Sequence, residues 1–283
     1  YKGEAILKVD AHAQIPSDFV SKNVAVLESG EDICGGQRPN IIDEPTKWRK
    51  TLLLAESSMF GSSIAPYRNN PGKSYVKSMF HAAYRRKVFD TIGGFNGMIA
   101  KQKAQGKKVN VTTILFDDEV DIIHDRFPVE IIEPLTEKEY FVRGCTALLD
   151  AVGTAIGKME NVQKHLPEDH RAGKIIFVIT TDGLENSSEH FTQEQIRRKI
   201  EAKKECGWEF LFLGANIDAG REAEKIGIAR NRSVTYENDS KGVELNFKAV
   251  GRAISKAVDN DAMMDFMDDH WADEIQAYKE GKK

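Results

Sequence analysis

The residues best placed to do chemistry stand at the ends of apolar runs. Ile175 to Ile179 are five consecutive apolar residues, and the run ends in Thr180-Thr181-Asp182-Gly183. Such a run predicts a strand buried on both faces, as in a parallel sheet covered by helices. In an open α/β sheet, ligands bind just outside the carboxyl ends of the strands. A carboxylate there, with a glycine to turn the chain away, suits a hard cation or a polar ligand. The plain alternative is a solvated aspartate in a strand-to-helix turn, where Asp-Gly is common for conformational reasons. Upstream, Arg143-Gly144-Cys145-Thr146-Ala147-Leu148-Leu149-Asp150 opens an amphipathic helix and offers a hydroxyl at Thr146. A second carboxylate follows another apolar stretch, in Leu7-Lys8-Val9-Asp10-Ala11-His12. A carboxylate and an imidazole two residues apart can share a cation where the chain is extended.

The Gly-x-Thr-x-Leu helix start followed by the Thr-Asp-Gly strand end resembles the von Willebrand factor type A (VWA) domain. The likeness runs from about Asp90 to about Val258. It is closest to bacterial proteins that carry an Ile-Gly-Gly-Phe-Asn helix and a Gly-Trp-Glu-Phe-Leu-Phe-Leu-Gly-Ala-Asn strand, here Ile92–Asn96 and Gly207–Asn216. The resemblance implies a doubly wound, mostly parallel α/β sheet. It also implies a Mg2+ or Ca2+ site in which Thr146 gives a hydroxyl and Asp182 a carboxylate. A protein partner's carboxylate would complete the coordination. The family's first metal loop, Asp-x-Ser-x-Ser, is absent from its expected place before Asp90.

The N-terminal third resembles the middle of a family 2 glycosyltransferase with the GT-A fold. The likeness is carried by Asp10-Ala11-His12, Gly35-Gly36, Phe60-Gly61-Ser62-Ser63, Tyr67-Arg68, and Ala83 to Phe89 through Gly93-Gly94-Phe95-Asn96. It implies that Asp10 and His12 hold Mn2+ or Mg2+ against a nucleotide sugar. By the same likeness, Arg85 and Arg86 fall near the acceptor and phosphate region, although a solvated helix start explains them equally well. The nucleotide-binding half and the acidic base after Phe95 are not found, so no catalytic residue is assigned. The expected organisation is a partial glycosyltransferase-like segment at 1–90 and a VWA-like domain with a helical tail at 91–283. The two likenesses meet at Ile92–Asn96, as a recombination or a join made in assembling sequence would produce. The rival expectation is a sugar-nucleotide-dependent transferase of polysaccharide or cell-envelope synthesis whose remaining parts lie outside this chain.

Composition bounds these readings. The 283 residues carry 30% charged and 41% hydrophobic side chains, an ordinary globular balance. Net charge is −4, which does not favour non-specific nucleic-acid binding. No run approaches the roughly 20 apolar residues of a membrane helix. Cys34, Cys145 and Cys206 lack metal-ligand spacing. They are expected as small buried hydrophobes in a reducing, cytoplasmic setting. The chain opens at Tyr1 without an initiator Met, as a fragment or a processed piece would.

The positioning elements follow from periodicity. Helices are expected from Ser17 to Leu27, with Phe19, Val20, Val24 and Leu27 on one face, then from Arg85 to Gln105, Ala147 to Met159, Ala219 to Ile226 and Val243 to Val258. Strands are expected at 5–9, 75–84, 109–116, 120–124, 174–180, 208–213 and 233–236. Thr192 and Gln195 form a capping box for a further helix. Met263, Met264, Phe266, Met267 and Trp271 give the tail an apolar cluster that packs back onto the domain. The VWA likeness requires a central strand between 109–116 and 174–180. Ala5 to Val9 is one candidate, since Asp10-Ala11-His12-Ala13-Gln14 matches the spacing of the missing loop. The other possibility is that this segment keeps a small sheet of its own.

Overall fold

A computed structural model of the chain describes residues 3–8, 15–36, 47, 51, 82–140, 145–259 and 270–281. The chain divides into two compact units, one within Tyr1–Arg86 and one within Lys87–Tyr140 and Gly144–Lys283.

In the N-terminal unit, β1 (Ala5–Lys8), β2 (Ile33–Gly35) and β3 (Ala82–Arg85) form an antiparallel sheet in the order β1-β3-β2. Ala5 pairs with Arg85, and Ile33 with Tyr84. The expectation that Ala5 to Val9 fills the central slot of the C-terminal sheet is therefore corrected. This strand spends its hydrogen bonds on β3, within its own unit. Helix α1 (Phe19–Glu28) also departs from expectation. It buries Phe19, Asn23 and Leu27, and leaves Val20 at 52% and Val24 at 46% exposed. Positions 19, 23 and 27 recur at i, i+4 and i+8 on one face. The polar member is satisfied, because Asn23 donates to the Phe19 carbonyl at 2.8 Å and accepts from the Cys34 thiol at 3.1 Å. Burial pushes that thiol up to about 11. Cys145 and Cys206 are exposed, against the expectation that they are buried. Arg85 donates to the carbonyls of Leu27 and Glu31, and lies 3.5 Å from Asp32. Its guanidinium thus closes the carboxyl end of α1, where unpaired carbonyls favour a cation.

The C-terminal unit is the α/β part. Helix α2 (Arg86–Gln105) ends at Gly106, whose φ of 63° only glycine adopts cheaply. Strands β4 (Asn110–Phe116) and β5 (Val120–Pro128) are antiparallel. Helix α3 (Leu148–His165) leads into β6 (Ile176–Thr181). Helix α4 (Gln193–Glu205) carries the expected capping box on Thr192 and Gln195. Next come β7 (Glu209–Ala215), α5 (Ala219–Lys225), β8 (Ser233–Tyr236), α6 (Ser240–Asp259) and α7 (Asp273–Glu280). β6, β7 and β8 form a parallel sheet in that order.

Side chains along β7 alternate between two apolar layers, as the period of 2 requires. Leu211, Leu213 and Ala215 pack with Val243, Ala249, Val250 and Ala253 of α6. Phe210 and Phe212 pack with Leu148, Leu149, Val152 and Ile156 of α3 and Ile196 and Ile200 of α4. Helices on both faces of a parallel sheet are the expected doubly wound arrangement. Among the described residues β4–β5 and β6–β7–β8 are separate ladders and not the single sheet expected. Trp271 is buried in the α6–α7 layer and donates to the Asn231 carbonyl at 2.9 Å. Met263, Met264, Phe266 and Met267 lie outside the described residues.

The Ile92–Asn96 string does structural work in this unit. Ile92 is buried, Phe95 packs against Ile99, Val129 and Ile132, and Asn96 clamps the Leu135 backbone through both halves of its amide. A Cβ on Gly94 would run into the Phe247 ring of α6, whereas Gly93 faces open space. Gly94→Ala should therefore destabilise the chain by about 1–3 kcal/mol, because the ring must shift. Gly93→Ala should raise stability by up to about 1 kcal/mol through helix propensity. Urea midpoints of the two variants check this, and equal shifts would contradict the packing.

Candidate active or cation-binding edge

The carboxyl edge of β6 is assembled by three connections. Beyond β4, the Asp117 carbonyl accepts from the Ala147 backbone N–H at 2.5 Å. Asn186 holds Thr146 from both sides: its Oδ1 accepts from Thr146 N at 2.8 Å, and its backbone N–H donates to the Thr146 carbonyl at 3.1 Å. Beyond β6, a Cβ on Gly183 would stand 3.0 Å from Thr146 Oγ1. Only glycine leaves that approach unstrained, so the Gly after Asp182 has a local reason. Thr181 then turns the chain, its hydroxyl lying 3.0 Å from the Gly183 carbonyl.

Thr146 and Asp182, predicted from separate motifs, are thus brought to one edge. Thr146 is half-buried and Asp182 is exposed. Among the described residues, Thr146 Oγ1 has no hydrogen-bond partner. Asp182 acts on Tyr236, whose hydroxyl is pushed above its ordinary range first by burial and then by the charges of Asp182 and Tyr140. Asp10 and His12, and with them Gln14, lie outside the described residues.

Neighbouring carboxylates are already committed to the backbone. Asp150 is buried in the first turn of α3 and accepts from the N–H groups of Glu189, His190 and Phe191 at 2.8–3.2 Å. Burial alone would raise its pKa. The three N–H donors outweigh it and hold the carboxyl below the usual range. Glu185 accepts from Ser187 N, Ser188 N and Leu149 N. Asp218 caps α5 by accepting from Arg221 N at 3.1 Å. Asp117 accepts from Glu119 N at 2.8 Å.

Thr146 and Asp182 would offer one hydroxyl and one carboxylate, both hard oxygens. Among the described residues no group of three or more His, Cys, Asp or Glu side chains is arranged to hold a metal. Two oxygens fit part of the six to eight positions that Mg2+ or Ca2+ fills, the rest falling to water and an incoming ligand. Asn186, Asp150, Glu185 and Tyr236 escaped the sequence reading. For Asn186 and Glu185 the signal was the run of polar residues at 185–190 after the strand, which reads equally well as loop.

Residues 1–93 match the model of Glycosyl transferase family 2. No curated protein and no solved structure matches the chain. The family match covers the segment of Asp10 and His12 and ends within Ile92–Asn96. Among the described residues no helix is long and apolar enough to cross a membrane.

Asp150→Asn should cost about 1–3 kcal/mol at pH 7 by loosening 189–191 from α3. Because the native carboxyl is held below its unfolded value, its contribution is present above about pH 4 and is lost as pH falls through the native pKa. Chemical denaturation of both proteins from pH 7 to pH 3 should show the gap between them closing. A gap that stays constant would mean the three N–H bonds do not stabilise the charged form.

Proposed function

We propose that residues 91–283 are a VWA-type, divalent-cation-dependent protein-binding module, joined to a partial glycosyltransferase segment at 1–90 that has no complete active site. The observation that carries this reading is the Thr146 hydroxyl beside Gly183, at the carboxyl end of a parallel strand whose next residue is Asp182. In this reading Mg2+ or Ca2+ takes the Thr146 oxygen and the Asp182 carboxylate, in part through water. A partner's carboxylate supplies the remaining charge. Asn186 fixes the Thr146 backbone so that the hydroxyl is presented without rearrangement. A cytoplasmic setting belongs to the same proposal and is supported by three free thiols.

The second reading is favoured by the family match over residues 1–93. It makes the chain part of a sugar-nucleotide-dependent transferase, with Asp10 and His12 holding Mn2+ or Mg2+ against the diphosphate. A transferase must also hold the donor and a base that deprotonates the acceptor hydroxyl. Gly97 to Lys103, after Phe95, offers no acid for that purpose.

Two outcomes separate the readings. Asp182→Ala should keep the fold, since the carboxylate is exposed, and should abolish Mg2+ binding by calorimetry. Binding that survives the substitution places the cation elsewhere, with Asp10 and His12 first in line. Incubation of the chain with Mn2+ and a panel of nucleotide sugars should give no acceptor-dependent release of nucleotide; clear turnover supports the transferase instead.

A further inference from the structure

Tyr236 carries a hydroxyl that the fold itself does not use. The residue ends β8 and is 6% exposed. Its ring belongs to the layer of Leu213, Ala215, Val243 and Ala249, between the sheet and α6. Among the described residues no hydrogen bond reaches the hydroxyl, on which burial acts first and then the charges of Asp182 and Tyr140. A buried phenol without a partner is uncommon, because a hydroxyl taken out of water bears the cost of its lost hydrogen bonds.

Register places that residue beside the candidate cation edge. Tyr236 pairs with Ala215 in the β7–β8 ladder. Gly214 pairs with Thr181 in the β6–β7 ladder, so Ala215 is level with Asp182. Asp182, Ala215 and Tyr236 therefore stand in one row across the carboxyl edge. The outer two are separated by two strand spacings, roughly 9–10 Å. The small side chain of Ala215, in the middle, leaves room for a phenol to lie across it.

The faces agree as well. Ile175 and Ile179 of β6 enter the α3 layer, and Ile176 enters the α6 layer. Alternation then puts Val178, Thr180 and Asp182 on the α6 side, with Tyr236. On that side Val178 is 36% exposed, and Asp182 is exposed. The α6 layer thus stops short of β6, and a ligand arriving at Asp182 meets the row that Tyr236 closes.

We propose that Tyr236 is the residue that recognises the incoming carboxylate at this edge. In this arrangement, which rests on the cation reading above, one oxygen of a partner's Asp or Glu side chain sits on the Mg2+ or Ca2+ at Thr146 and Asp182. The other oxygen accepts from the Tyr236 hydroxyl. A phenol is protonated at neutral pH and has one O–H to donate. Shielded from water, a hydrogen bond to a charged acceptor is stronger than one to a neutral amide. The two contacts together favour a carboxylate over the isosteric carboxamide of Asn or Gln. Packing already holds the ring, so little freedom is lost when the hydroxyl is used.

The test compares the full chain with Tyr236→Phe, using Mg2+ and two probes, acetyl-Gly-Asp-Gly-amide and acetyl-Gly-Asn-Gly-amide. Tyr236→Phe should unfold at the same urea concentration as the native chain or a higher one, because it removes a hydroxyl that the free chain leaves unpaired. Calorimetry with Mg2+ alone should give both proteins the same affinity, since the phenol touches the ligand and not the cation. With Mg2+ saturating, NMR titration should show the native chain binding the Asp peptide more tightly than the Asn peptide. The substitution should weaken the Asp peptide by about tenfold, the worth of one hydrogen bond to a charged group, and leave the Asn peptide nearly unaffected. Unchanged Asp-peptide affinity with Mg2+ binding intact overturns the role of Tyr236 and spares the cation reading. A native chain that binds no Mg2+ overturns both. Equal or absent binding of the two peptides by the Mg2+-loaded native chain, or unfolding of Tyr236→Phe at clearly lower urea, also overturns the inference.

Discussion

A strand whose successive side chains enter opposite apolar layers needs a helix layer on each face, and β7 imposes that requirement on the C-terminal unit. Leu211, Leu213 and Ala215 call for α6, while Phe210 and Phe212 call for α3, α4 and α5. Each layer supplies burial worth about 25 cal/mol per Å2 of apolar surface. With both layers fixed, helices must return across alternate faces. The right-handed crossovers of parallel strands then bring β6 and β8 alongside in a single direction. All carboxyl ends of the parallel strands fall on one edge as a result. The position of Asp182 there follows from packing on β7 rather than from any contact of its own.

That edge is organised by carboxylates acting on backbone N–H groups. Asp150 and Glu185 between them accept from Leu149 and all five residues of 187–191. Each bond satisfies a donor that a tight loop beside a helix start would otherwise leave exposed. Acidity in this loop is therefore mostly structural. Thr146 joins this scaffold through its backbone, which is bonded to Asn186 on both sides, and not through its hydroxyl.

The legible parts of the sequence were those governed by local rules. Apolar periodicity placed α3, α6, β6 and β7, and the Thr192–Gln195 pair marked the start of α4. Thr146 and Asp182 were readable because each lies at the end of a strongly periodic element. Other features depended on partners distant in sequence. Val20 and Val24 look like a buried pair, but the burial of Asn23 turns α1 by about 100° per intervening residue onto another face. Nothing local to Asn23 reveals that Cys34 will meet it. Likewise, Ala5–Lys8 reads as any apolar strand, and only its register with Ala82–Arg85 decides which sheet it joins.

That register has a consequence for how the N-terminal unit comes into being. β3 is the middle strand, and both β1 and β2 take their ladders from it. The cap on α1 also comes from Arg85, 54 to 58 positions away from the carbonyls it binds. During synthesis β1 and β2 therefore leave the ribosome before the strand that pairs with both of them. The entropy of closing so long a loop grows only slowly with length, by ~0.6 kcal/mol per doubling. Its effect falls on the rate, since non-local pairings must be found before they are rewarded. The sheet is thus completed from its latest-made strand outward, and α2 begins at the very next residue.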